Sequence, residues 1–261
     1  MSKWRKYPSM KNYFLMIILL FFMNGALNAG QWKTIQFATE ATYPPFEFID
    51  PSGRITGFDI EIASALCQQM KVDCTFSNQS FNSLIPSLKL GKFDAIIAAL
   101  GVTEEREKEV SFTHAYYEPS GSFVGAMPAS FSLSQLTGKV IGVQQGSVFE
   151  KYLRDKYGVS VKIKTYASVQ DAFLDLVLGR LDAVLADTPI ATAWLKRNED
   201  NQFGLIGKPV VDHAYFGTGY AIAVRKGDAE LRDAFNKALA EIKANGTYEK
   251  IAKKYFGRAI H

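Results

Sequence analysis

Two stretches of the chain, 80–99 and 168–187, match at a constant offset of 88 residues. Ser80, Leu88, Leu90, Gly91, Asp94, Ala95 and Ala98 recur as Ser168, Leu176, Leu178, Gly179, Asp182, Ala183 and Ala186. Each copy begins with a serine suited to a helix N-cap, continues with apolar residues on one helical stripe, stops at a glycine and enters an apolar strand. A duplicated helix–turn–strand unit implies two α/β lobes of similar design. Continuous apolar strands over 95–100 and 183–186 suit sheets covered by helices on both faces. Ligands of such sheets collect outside the carboxyl ends of the strands, so 98–103 and 186–187 are candidate site positions by geometry alone.

The remaining segments fill in the lobes. Residues 34–39 read as a first strand, followed by the loop Tyr43-Pro-Pro-Phe46, a turn at Gly53 and an amphipathic helix over 58–70. A second-lobe strand over 139–143 runs into Gln144-Gln-Gly-Ser147 and a helix over 149–157, an arrangement in which the amides of Gly146 and Ser147 face an anion. Two helices, 229–244 and 247–255, flank the break at Asn245-Gly246. The chain is expected to cross between lobes at 117–121 and to return at 216–219.

Residues 1–29 combine a basic stretch (Lys3, Arg5, Lys6, Lys11), eleven apolar residues over 13–23 and a small-residue tail. This pattern is a secretory signal peptide, with a cut expected after Ala29. A membrane anchor, the alternative, needs about twenty apolar residues. The charge balance depends on this leader. The chain carries 30 Lys+Arg against 26 Asp+Glu, and the four-residue excess lies wholly in the leader, which has no acidic residue. The remainder is formally neutral, which removes any case for nucleic-acid or anionic-membrane binding. Export also decides how Cys67 and Cys74 read: in an oxidising compartment their spacing can close a helix-to-strand loop with a disulfide, the alternative being two buried thiols. Three scattered histidines and two cysteines do not make a metal centre.

No nucleophile elbow, zinc-protease helix, phosphate loop or Cys-x-x-Cys pair occurs, so no motif supports catalysis. Gly217-Thr-Gly219 lacks the third glycine and following helix of a dinucleotide site. What stands out is the loop after the first strand, where Glu40, Tyr43 and Phe46 place a carboxylate and aromatic rings at a strand's carboxyl end. Thr103-Glu-Glu-Arg106 adds an arginine at the start of a short helix.

Thr39-Glu-Ala-Thr-Tyr-Pro-Pro-Phe-Glu47, Gly57-Phe-Asp-Ile-Glu61, Leu84-Ile-Pro-Ser-Leu88, Thr103-Glu-Glu-Arg106, Gly142-Val143 with Gln145-Gly146, and Asn245-Gly-Thr-Tyr-Glu249 resemble the periplasmic lysine/arginine/ornithine- and histidine-binding proteins, above all their arginine-binding members. The resemblance spans 32–257 and implies a type II periplasmic solute-binding protein of family 3. Such a protein has two α/β lobes joined by two hinge strands, here 30–118 with 219–261 and 119–218. It would act in the periplasm as a monomer without cofactor, closing on one basic L-amino acid, arginine first, and delivering it to an ABC permease.

Position by position, the resemblance implies that Arg106 clamps the α-carboxylate, helped by backbone amides at Ala99, Leu100, Gly101 and Ser147. Asp187 would take the α-ammonium, Tyr43 and Phe81 would sandwich the side chain, and Glu40 would meet the distal cation. The chain departs from the commoner pattern in three places. Ala98-Ala-Leu-Gly101 replaces a hydroxyl-rich run, Glu40 replaces aspartate, and Val148 stands where a hydroxyl often helps. The rival reading is a cleft enzyme of the same fold, a cyclohexadienyl or arogenate dehydratase using Glu40 or Asp187 as an acid, because fold does not decide function.

Overall fold

A computed structural model of the chain describes residues 32–129, 131–198 and 202–257; the expected leader, 1–29, lies outside the described residues. Strand β1 (Thr34–Thr39) is followed by a hairpin-like sheet of β2 (Thr42–Tyr43), β3 (Glu47–Ile49) and β4 (Ile55–Thr56). Then come α1 (Phe58–Met70), β5 (Asp73–Asn78), α2 (Leu84–Lys89), β6 (Ala95–Ile96), α3 (Glu104–Glu109) and β7 (Ser111–Phe112). The chain next builds β8 (Gly121–Ala126), β9 (Val140–Gln144), α4 (Val148–Tyr157), β10 (Lys162–Tyr166), α5 (Val169–Val177), β11 (Ala183–Asp187), α6 (Thr188–Arg197) and β12 (Phe203–Val210). It closes with α7 (His213–Phe216), β13 (Ala223–Val224), α8 (Ala229–Ala244) and α9 (Thr247–Phe256).

Two five-stranded sheets result, in the orders β5-β1-β6-β13-β7 and β10-β9-β11-β8-β12. In each, one strand sits between two parallel neighbours, β1 between β5 and β6, β9 between β10 and β11. An antiparallel strand follows, β13 against β6 and β8 against β11. The chain therefore passes from the first sheet to the second between β7 and β8 and returns before β13. The two passages touch at Tyr117 and Tyr220, which form an isolated antiparallel bridge.

The repeated motif has a physical role in both sheets. Asp94 donates its N–H to the Gln36 carbonyl, and its carboxylate accepts the Gln36 N–H, both at 2.9 Å. Asp182 makes the same reciprocal pair with Val140 at 2.8 Å. In each copy the aspartate extends the ladder by one pair before the apolar strand begins. Gly91 and Gly179 precede it with φ of +71° and +68°, the left-handed turn that glycine adopts without steric penalty.

The copies differ where their residues differ. Ser168 Oγ accepts the Asp171 N–H, and α5 runs nine residues. Ser80 caps nothing with its side chain; residues 81–83 form a 3-10 turn and α2 has only six residues. Pro86 explains this, because a proline deeper than the first turn would clash with the carbonyl four residues back. The expected strand over 95–100 is also shorter: the ladder covers Ala95–Ile96, Ile97 still donates to Ala38, and the backbone turns left-handed at Ala99, with φ +43°.

Helix α1 begins at Gly57, where a Cβ would lie 2.2 Å from the Phe46 carbonyl oxygen. That close approach lets the first free amides of the helix, on Phe58 and Asp59, donate to the carbonyls of Pro45 and Phe46, and so fixes the Tyr43 loop against α1. Phe58, Ile62, Ala63 and Leu66 are buried. Cys67 near the helix end is joined to Cys74 on β5 by a disulfide with a Cα–Cα distance of 6.1 Å. Among the described residues no helix is long and apolar enough to cross a membrane, and no group of side chains could hold a metal ion.

Candidate functional site

The parallel strands β1, β6, β9 and β11 all direct their carboxyl ends to one region, and the residues that follow them meet there. A small cavity of about 20 Å³, partly open to solvent, is lined by Tyr43, Phe81, Ala99, Gly101 and Arg106. Gln144, Ser147, Val148, Phe149, Asp187 and Tyr220 complete it. Of the expected site residues, Glu40 and Leu100 lie outside this lining; Leu100 is buried and its carbonyl accepts from Ala221.

Asp187, the last residue of β11, is buried and receives two phenolic hydroxyls: Tyr43 Oη donates to Oδ2 at 2.5 Å and Tyr220 Oη donates to Oδ1. Burial pushes its carboxyl up to about 7 against the pull of the two hydroxyls. At neutral pH the group is poised between acid and carboxylate, and a neighbouring cation would tip it to the charged form.

Arg106 sits in the first turn of α3, which Thr103 caps by accepting the Arg106 N–H at 3.3 Å. Its guanidinium reaches across: Nη1 donates to the Gly101 carbonyl at 2.9 Å and Nη2 to the Gly146 carbonyl at 3.1 Å. It also lies over the Phe81 ring, 5.5 Å from the centroid. Burial lowers its pKa to about 10, so it stays charged at neutral pH. Both of those acceptors are neutral carbonyls. An arginine with five donors held only in part by carbonyls is suited to a carboxylate, which it can grip with two parallel bonds.

Glu40 lies behind the cavity. It is buried, accepts from the Thr42 hydroxyl, and accepts from Gln144 Nε2 at 3.3 Å. Burial raises its carboxyl to about 7, with the charge of Asp171 adding to the rise. Gln144 thus links this carboxylate to the cavity wall, joining β9 to the loop after β1.

The expectation that the amides of Gly146 and Ser147 face an external anion is not met. The Gly146 N–H donates to Glu150 Oε2 at 2.7 Å and the Ser147 N–H to the Gln144 carbonyl at 3.3 Å. Ser147 Oγ meanwhile accepts the Glu150 N–H at the start of α4. Glu150 is in the first turn of the helix, so its carboxylate reaches back and takes the Gly146 amide itself, while the Gln144 carbonyl takes that of Ser147.

Residues 35–258 match the bacterial extracellular solute-binding proteins, family 3. The chain belongs to this family. The family 3 protein is 48% identical over 231 residues to the putative ABC transporter arginine-binding protein 2 of Escherichia coli, covering 88% of this chain and 94% of that protein. It is 45% identical over 247 residues to the same organism's ABC transporter arginine-binding protein 1, covering 95% and 99%. A solved structure of a Salmonella typhimurium periplasmic binding protein, described for high arginine specificity, superposes with a TM-score of 0.82 at 40% identity, covering 86% of this chain and all of that one. The type II periplasmic binding fold follows from these matches.

Three residues of this family 3 protein's cavity escaped sequence reasoning. Gln144 ends β9 just as Asp187 ends β11, so strand-end geometry alone would have found it. Phe149 follows Val148 into α4, and its inward side was legible only once the helix was placed. Tyr220 lies beyond the last glycine of the return passage and enters the cavity because that passage is pinned: its N–H donates to the Tyr117 carbonyl at 2.8 Å. No local signal marks it.

Proposed function

We propose that this protein is the periplasmic binding subunit of an ABC importer for a basic L-amino acid, arginine before lysine, ornithine and histidine. The observation that carries this reading is the meeting of Asp187, at the end of β11, with Arg106 of α3 and Tyr43 of β2 around one cavity. A carboxylate and a guanidinium on opposite walls match the two charged ends of an α-amino acid. Asp187 takes the α-ammonium. Arg106 turns from its carbonyl partners to the α-carboxylate, with the backbone of residues 99–101 and Ser147 lining the same cavity.

The side chain lies between Tyr43 and Phe81, where a desolvated guanidinium gains about 2 kcal/mol from the rings. Its far end meets Glu40, reached past Gln144. The two lobes, 30–118 with 219–261 and 119–218, shut about the passages at 117–121 and 216–219, so contacts from the second lobe form only on closure. A micromolar affinity is about −8 kcal/mol, within reach of one charged fork, one ammonium–carboxylate pair and a ring sandwich after the losses of closure. The protein acts as a monomer, without cofactor, and hands its ligand to a permease in the inner membrane.

The relatives named above are binding proteins of transporters, and the dehydratase reading draws nothing from them. A thermal-shift screen of the twenty amino acids with ornithine and citrulline tests the proposal. Stabilisation by arginine above all others is expected; stabilisation by glutamine with none by arginine would overturn it.

A further inference from the structure

Behind the cavity wall two carboxyl groups are buried together. Glu47 on β3 and Asp59 on α1 are 1% and 0% exposed, and their side chains meet. Asp59 Oδ2 accepts from the Ala99 N–H and from the Tyr116 hydroxyl, each at 2.7 Å. Glu47 Oε2 and Asp59 Oδ1 receive no donor from elsewhere among the described residues. Burial pushes both groups up and the Asp59 charge raises Glu47 further, so Glu47 keeps its proton at neutral pH and can donate it to Asp59.

This pair is linked to several residues around the cavity. Glu47 is the cross-strand partner of Tyr43. Tyr116 donates its N–H to the Tyr220 carbonyl in the return passage. Ala99 is a cavity residue whose left-handed backbone is disfavoured for any side chain with a Cβ, so something must hold it. Two residues on, the Gly101 carbonyl accepts from Arg106. The ordinary reading of a buried Asp–Glu contact is a satisfied core pair, but such a pair does not need to terminate on the strained residue of the ligand cavity.

We infer that Asp59, braced by Glu47, is a positioning residue of the binding site, holding the Ala99 amide so that the 99–101 backbone and Arg106 are aimed at the ligand's carboxylate. The inference rests on the function proposed above. Two substitutions separate an acceptor role from packing. Asp59→Asn keeps an oxygen for Ala99 and Tyr116 and an amide for Glu47, and should bind arginine within about threefold of the unsubstituted protein by calorimetry. Asp59→Leu fills the space without an acceptor, and should bind about 30-fold or more weakly while the Ala99 amide exchanges hydrogen faster.

A folded Asp59→Leu protein with unchanged affinity and unchanged Ala99 exchange would overturn the inference, as would a folded Asp59→Asn protein that does not bind. Where Asp59→Leu does not fold, exchange in the unsubstituted protein decides. An Ala99 amide as slow as its β-ladder neighbour Ile97 supports the hold, and one exchanging at the rate of an exposed loop overturns it. Because exchange requires no ligand, failure of the unsubstituted protein to bind any amino acid would refute the proposed function and leave this measurement to judge Asp59 separately.

Discussion

Tyr43 donates its hydroxyl to Asp187 at 2.5 Å, joining a residue of the small three-stranded sheet to the last residue of a strand in the second five-stranded sheet, 144 positions away. Tyr220, from the return passage, donates its hydroxyl to the other oxygen of the same carboxylate. One buried carboxyl at a strand end of the second sheet thus collects a donor from the small sheet after β1 and another from the connection between the lobes.

Asp187→Asn should separate stability from binding. The carboxyl sits near 7 because burial penalises its charged form, so at pH 8 the carboxylate weakens the ligand-free fold, and an amide removes that penalty. Thermal unfolding at pH 8 should occur at an equal or higher temperature than in the unsubstituted protein. Arginine affinity should fall by about 100-fold with loss of the charged partner for the ammonium. A variant that binds normally would remove Asp187 from the site.

The pH dependence has a definite sign. Glu40 and Asp187 both sit near 7, above the ordinary carboxylate range, so the ligand-free fold is favoured when they are protonated and loses that contribution as pH rises through 7. Bound cationic groups favour the ionised forms. Arginine affinity should therefore climb from pH 5.5 and level off near pH 8, with protons released on binding below pH 7. Calorimetry in buffers of different ionisation enthalpy measures that release directly; proton uptake would contradict the assignment of the two carboxyls.

Arg106→Ala should abolish measurable binding, by about 100-fold or more, with little change in unfolding temperature because the side chain is half-buried and its partners are carbonyls on loops. Arg106→Lys should recover only part of the affinity, since an ammonium cannot make the two parallel bonds. Normal arginine binding by Arg106→Ala would move the carboxylate site elsewhere.

Glu40→Gln should shift preference as well as affinity. Arginine binding should weaken by about 10- to 100-fold while citrulline, neutral at the same end, changes far less. An equal loss for both ligands would place Glu40 in support of the loop rather than in contact with the side chain.

Replacing Cys67 and Cys74 together by serine should lower stability by about 2 kcal/mol, the value expected for closing so short a loop, and leave arginine affinity unchanged. Denaturant unfolding and calorimetry on the same variant test the two halves of that statement.

The duplication at an offset of 88 was legible from side chains alone because it is local: a cap, a stripe, a glycine, and an aspartate that pairs with the neighbouring strand. Helices α1 and α8 follow their apolar periodicity to the residue. The retreat of β6 to two residues was not legible, since 95–100 is apolar throughout and the Ala99 amide, where the chain turns, is bonded to Asp59 on a helix 40 residues earlier. The anion site expected at Gly146 failed for a similar reason, a carboxylate four residues ahead that bends back over the helix start.

Sequence by itself determined the two-sheet design, the disulfide spacing, the strand ends at which a ligand site must lie, and the family, because each depends on residues close together in the chain or on a motif read in order. Tertiary structure decided which of those strand ends share a wall. It set Tyr43 on Asp187 and Gln144 on Glu40, pairs that exist only once the chain has passed from one sheet to the other, and Tyr220 on Asp187, which needs the return as well; it also set Glu47 beside Asp59 where β3 packs against α1. It also decided their protonation, because the burial that raises these carboxyls comes from side chains distant in the sequence.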